Sequence, residues 1–115
     1  DSIEVYIANP DGSVVCQFVG NANGVTYSNS SDNRKIPVKA AAAINGPVWS
    51  VELKIPVAEL PSLSTAKGEK WRVNLCRNRP KRGNEPPGRE SGSWARIKAG
   101  PYSQKDKFGI IEFGD

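Results

Sequence analysis

Trp71-Arg72-Val73-Asn74-Leu75-Cys76-Arg77 is the stretch whose reading decides the fold. Successive side chains of an extended strand point to opposite faces, so Trp71, Val73 and Leu75 share one side and Arg72, Asn74 and Cys76 the other. Such a strand lays its apolar side on a core and turns its polar side toward something else. A loop rich in Pro, Gly and charge follows at once, from Asn78 to Gly92, so the strand is expected to deliver Arg77 to an edge.

The same alternation recurs outward from this stretch. Asp1–Ala8 places Ile3, Val5 and Ile7 opposite Glu4 and Tyr6, and Asn9-Pro-Asp-Gly12 is a turn leading into a return strand over Ser13–Gly20. Asn23-Gly24 marks the next turn before a short strand at Val25–Ser28, and a polar loop runs on to Asn33. Over Arg34–Ala43 two signals compete. Four alanines favour helix, whereas Pro37 before them and Asn45-Gly46 after them favour a strand ending in a tight turn. The partner decides: Pro47–Ile55 turns Trp49, Val51, Leu53 and Ile55 to one side and Ser50, Glu52 and Lys54 to the other, so 34–43 is expected to pair with it. Pro56–Leu60 reads as a single helical turn with Pro at its first position, and Ser93–Ile97 and Phe108–Phe113 read as closing strands. Eight short strands and almost no helix predict an all-β fold, an antiparallel β-sandwich of immunoglobulin or jelly-roll-like architecture.

Length and composition bound the function. At 115 residues, with 37% hydrophobic and 24% charged residues, the chain is expected to form one domain with a single core. No run approaches the ~18 apolar residues of a membrane span. The chain begins at Asp1 without a charged-then-apolar leader, and is read as a segment of a larger protein. The net charge of +4 gathers in Arg77–Arg82, a loop that is expected to be solvated, and no nucleic-acid motif accompanies it. With no histidine, Ser-His-Asp and Cys-His nucleophiles and His-ligated zinc or haem are excluded; with no methionine, so is a thioether axial ligand. Cys16 and Cys76 are too far apart for a metal knuckle; a disulfide between them requires that their strands be neighbours, and otherwise they are small core residues.

The polar strand faces supply Glu4 and Tyr6, Glu52 and Lys54, and Arg72 and Asn74. If these strands share a sheet, they form one surface of acids, an amide, cations and a ring, a mixture suited to hydroxyl-rich ligands. The bland alternative is the ordinary solvated face of an antiparallel sheet. Glu4 and Glu52 are the pair that glycoside hydrolysis would need, but strand glutamates beside lysine are usually surface ion pairs, so no catalysis is expected. Trp49 and Trp71 are in phase with core residues. Trp94, beside the Gly/Pro-rich loop, is instead placed to act as a ligand platform. Asp1, Asp11, Asp32 and Asp106 are the acids a calcium ion could use, although no spacing among them resembles a calcium loop.

Taken in order, Asp1-Ser-Ile-Glu4, Trp49-x-x-Glu52-x-x-Ile-Pro56-x-x-x-Leu60, Gly68-x-x-Trp71-x-x-Asn74-x-x-Arg77, Ser93-Trp94 and Phe108-Gly109-x-Ile111 resemble the carbohydrate-binding module family 9-like domains of the DOMON group. The resemblance runs along nearly the whole chain. It implies a non-catalytic module binding oligo- or polysaccharide, in a secreted, periplasmic or cell-surface bacterial protein, joined to other domains. It assigns hydrogen bonding to Glu4 and Asn74, stacking to Trp94 and a subsidiary role to Arg77, which strand parity sets opposite Asn74. Calcium is often nearby in the family. Family domains carry further strands and a second stacking aromatic ahead of the Asp-Ser-Ile-Glu motif, so this sandwich is expected to lack its first strands. The alternative is a structural or interaction domain without sugar binding, since a fold resemblance outruns a functional one. Haem binding, known in some DOMON relatives, is disfavoured by the missing His and Met.

Overall fold

The computed structural model describes residues 1–60, 62–80, 83–84, 92–96 and 101–115. Eight strands follow in order: β1 (Ser2–Ala8), β2 (Val15–Asn21), β3 (Thr26–Ser30), β4 (Lys39–Asn45), β5 (Val48–Lys54), β6 (Lys70–Asn78), β7 (Gly92–Ser93) and β8 (Gly109–Glu112). All pairings are antiparallel. A six-stranded sheet runs β3-β2-β1-β6-β7, with β8 also on β6, and β4-β5 form a separate two-stranded sheet. Because β1 covers one edge of β6 along Arg72–Asn78, β7 and β8 share the other edge, β7 at Cys76–Arg77 and β8 at Lys70–Val73. The fold is all-β and sandwich-like.

Most elements sit where alternation and turn chemistry put them, with shifted ends. The alanines at 40–43 are strand, because β5 pairs with every one of them and tertiary pairing outweighs local propensity. The strand begins only at Lys39, however, and not at Arg34. Pro37 has no N–H to give to a ladder, and the Ile36 carbonyl accepts from the Ser28 hydroxyl instead. The turn also moves by one residue. Asn45 pairs with Val48, so Gly46-Pro47 is the two-residue loop, with Gly46 at φ +58° in the first central position. A positive φ followed by the fixed negative φ of Pro is what a type II′ hairpin requires. Pro56 precedes a single 3-10 turn, Val57–Glu59, as expected. The last strands are shorter than expected; Ile97 and most of the 78–92 loop, including Lys81 and Arg82, lie outside the described residues.

Each face of the large sheet has its own cover. On one side Ile7, Cys16, Phe18, Trp71 and Val73 are buried with Ile36 and Leu60, and Leu53, Ile55 and Val57 pack against them. The β4-β5 hairpin lies close here. A Cβ on Gly20 would stand 3.0 Å from Leu53 Cδ2 and 3.5 Å from Val51 Cγ2, so the hairpin crosses β2 closely at this point. Trp71 meets the Phe113 ring edge-on at a centroid distance of 4.8 Å and donates its indole N–H to the Ser64 carbonyl at 2.9 Å. Trp49 faces the same interior but remains partly exposed, and Leu75, in phase with Trp71 and Val73, is 49% exposed. The narrow second sheet does not reach that far. On the other side Tyr6, Ala8 and Cys76 are buried under Phe108, with Tyr102 packed against them.

This arrangement separates the cysteines. Cys16 pairs with Ile7 and faces the first core, Cys76 pairs with Glu4 and faces the second, and β1 lies between their strands. Both are free buried thiols, so no bridge joins them. Burial raises the Cys16 thiol to about 11, with the Asp32 carboxylate adding to the shift. Burial also raises Cys76, against a lowering hydrogen bond with Ser93.

Candidate functional site

Residues directly opposite in a ladder share a face. The registers therefore align Tyr27, Val19, Glu4, Cys76 and Ser93 in one row across the sheet, with Ser2, Asn21 and Asn78 in the row beside it. Glu4 anchors this face. One carboxylate oxygen accepts from the Tyr6 hydroxyl at 2.6 Å and from the Gln17 amide at 3.0 Å, and the other accepts from the Asn78 amide. Gln17 also donates to Tyr6 Oη at 3.0 Å. Burial, followed by the bond to Glu4, raises the Tyr6 phenol well above its ordinary range, so it stays a donor. Asn74 lies on the same face but is wholly buried. Its amide donates to Ser93 Oγ at 2.8 Å and its carbonyl accepts from the Ala95 N–H at 2.9 Å, while the Ser93 hydroxyl donates to the Ala95 carbonyl at 2.6 Å. It is a clasp holding the segment after β7 to β6, not a group presented to a ligand.

Trp94 and Arg77 lie on the opposite face. The Trp94 N–H bonds the Leu75 carbonyl at 2.8 Å, and its ring lies over Gly109, whose partner Val73 faces the first core. A Cβ on Gly109 would come within 2.3 Å of that ring. Trp94 is 57% exposed and borders a shallow groove of about 330 Å³ whose lining includes Ile3, Glu4, Val5, Leu75 and Arg77. The β1–β6 register is unbroken to Asn78, so no bulge returns Arg77 to the Asn74 side. By strand parity the four residues singled out by sequence divide into two pairs, Glu4 with Asn74 and Trp94 with Arg77, while Glu4, Arg77 and Trp94 all contribute to the lining of the Trp94 groove. Glu52 is on the outward side of β5, in the other sheet, so the sandwich's thickness lies between it and Glu4.

Sequence reasoning missed the recess at the end of the Glu4 face. About 320 Å³ in volume, it is lined by Asp1, Ser2, Asn21, Val25, Tyr27 and Asn78, among others. Tyr27 is 52% exposed. Asn21 is fixed by accepting the Asn23 and Val25 backbone N–H groups, and Asn78 by its bond to Glu4. The available signal was the alternation within β3, which sets Tyr27 on the side away from Thr26 and Ser28; that this side is shared with Val19 is fixed by the β2–β3 register. The four aspartates considered for calcium do not converge. Asp1 neighbours Arg77, Asp32 neighbours Arg34, Asp106 neighbours Lys107, and Asp11 accepts from the Ser13 N–H. No group of three metal-ligating acids or thiols occurs among the described residues. Nor is any helix among them long and apolar enough to cross a membrane.

The fold and site define an all-β, sandwich-like antiparallel domain with an aromatic-and-amide recess on one face of its large sheet. No protein-family model matches the chain, nor does any curated protein or any solved structure.

Proposed function

We propose that this domain binds a short oligosaccharide or a polysaccharide end without catalysis, as an accessory module of a secreted, periplasmic or cell-surface protein. The observation that carries the proposal is the recess beside Glu4, where an exposed ring and pre-positioned amides and a hydroxyl line one pocket. A flat ring covers the apolar face of a sugar, and amides and hydroxyls bond its edges. Tyr27 is the stacking ring; Asn21, Asn78 and Ser2 provide the polar contacts, and Glu4 positions Asn78. Support also comes from the sequence resemblance, which singled out Glu4. Because Asn21 and Asn78 are held before binding, little side-chain entropy remains to be lost on binding.

Calorimetric titration with cello-, xylo-, manno- and malto-oligosaccharides tests the proposal. At least one series is expected to give a saturable heat. Tyr27→Ala weakens it about 10-fold, equivalent to ~1.4 kcal/mol, and Trp94→Ala leaves it unchanged. Absence of heat with every sugar would sink the proposal, and loss through Trp94→Ala alone would move the site to the other face.

A further inference from the structure

The two asparagines of the recess are each oriented by partners of fixed polarity. Asn21 Oδ1 accepts the backbone N–H groups of Asn23 and Val25, which can only donate, so its Nδ2 is left over, with no partner among the described residues. Asn78 Nδ2 donates to the Glu4 carboxylate, which accepts, so its Oδ1 is left over in the same way. Both line the recess, one supplying a donor and the other an acceptor. Ser2 pairs with each of them in the ladder and so stands between the two in one row. Their backbones are two strand spacings apart, roughly 10 Å. On the Asn21 side the lining is apolar, with Val19 and the 62%-exposed Val25 beside Tyr27.

We infer that the sugar taken by this recess carries an acetamido group, an N-acetylhexosamine unit rather than a plain hexose; the inference rests on the oligosaccharide reading of the same site. A secondary amide is planar and trans, so its carbonyl and its N–H point in opposite directions. With a hydrogen bond of about 2.9 Å at each end it spans roughly 8 Å, the reach needed to accept from Asn21 and donate to Asn78 above Ser2. Its methyl group then meets Val19 and Val25, apolar surface that a hydroxyl in its place would leave wet. A hexose hydroxyl reaches one of the two asparagines and leaves the other to water. A site built around a donor-acceptor pair discriminates against the ligand that lacks the match. A peptide fits less well, because it repeats its amide at every residue. The recess supplies one such pair and completes its lining with a ring and the hydroxyls of Ser2 and Thr26.

Calorimetric titration compares fully N-acetylated chitotriose with cellotriose, which has the same linkage and differs only in the substituent beside the anomeric carbon. Chitotriose is expected to bind at least about 10-fold more tightly. Asn21→Asp keeps an oxygen for the Asn23 and Val25 N–H groups but removes the donor. It is expected to weaken chitotriose at least about 10-fold and cellotriose less than about 3-fold, with far-ultraviolet dichroism unchanged. If that variant misfolds, chitotriose N-methylated at its acetamido nitrogens, which has no donor for Asn78, takes its place with the same loss expected. A preference for chitotriose below about 10-fold, equal binding by Asn21→Asp, or an acetylated trialanine amide that binds as tightly as chitotriose overturns the inference. Saturable heat from a hexose series without that preference leaves the sugar reading standing, whereas no heat from any sugar overturns both.

Discussion

The two faces of the large sheet are built by the same strands, yet they solve opposite problems. On the Glu4 face, polar side chains are tied to one another: Glu4 to Tyr6, Gln17 and Asn78, and Asn74 to Ser93 and Ala95. On the other face, apolar side chains grade from a closed core at Phe18 to an open shelf at Leu75 and Trp94. The difference teaches that exposure here follows cover rather than residue type. An asparagine is wholly buried because a loop crosses it, whereas a leucine of the same strand is half exposed because nothing does.

The comparison is broken most strongly at the closed end of the apolar face. Phe18→Ala is expected to cost about 3–5 kcal/mol in denaturant unfolding, since Phe18 is fully enclosed. A loss below about 1 kcal/mol would show that this end is as open as the shelf. Asn74→Ala should cost about 1–3 kcal/mol, because the buried Ala95 N–H loses its partner, whereas the Ser93 hydroxyl keeps the Ala95 carbonyl. Amide exchange at Ala95 should accelerate in the same variant. An unchanged midpoint would return Asn74 to the pool of groups available to a ligand.

The pH response sharpens the same contrast from the core side. Cys16 is raised from 9.0 to about 11 in the folded state, so the unfolded chain releases this proton first. Its contribution to stability is complete below about pH 9 and is lost as pH rises toward 11. Cys16→Ala should flatten that part of the profile measured by urea midpoints, and an unaltered slope would refute the assignment. The smallest effect is expected at the shelf. Gly109→Ala must displace the Trp94 ring, shifting tryptophan emission to the red, yet should cost only about 1 kcal/mol because the ring can swing into solvent. A loss above about 3 kcal/mol would mean that the ring is locked in place.

How much of this was legible beforehand depends on the range of the interaction involved. Strand alternation is local, and it placed Trp71 and Val73 together and Arg77 opposite Asn74 without any coordinates. The turn at 45–48 was located to within one residue, because both Asn45 and Gly46 are turn formers. Trp94 shares a groove lining with Glu4, but its ring lies on the face opposite the Glu4 and Asn74 side chains for a nonlocal reason. Trp94 lies just past a two-residue strand, and its side is set by the pairing of Ser93 with Cys76 and by the space over Gly109. The Tyr27 recess escaped notice because its lining comes from β1, β2, β3 and the end of β6, with no motif linking them.

By itself, then, the sequence determined the all-β class, the antiparallel hairpins, the alternation of faces and the exclusion of histidine chemistry. All of these follow from residue type and a period of two. Only the tertiary structure decided that Cys16 and Cys76 face opposite cores, that Asn74 is a clasp, and that Trp94 and Glu4 lie on opposite sides of one sheet. Those outcomes depend on which strands become neighbours and on what crosses over them, and neither is encoded in any short stretch of chain.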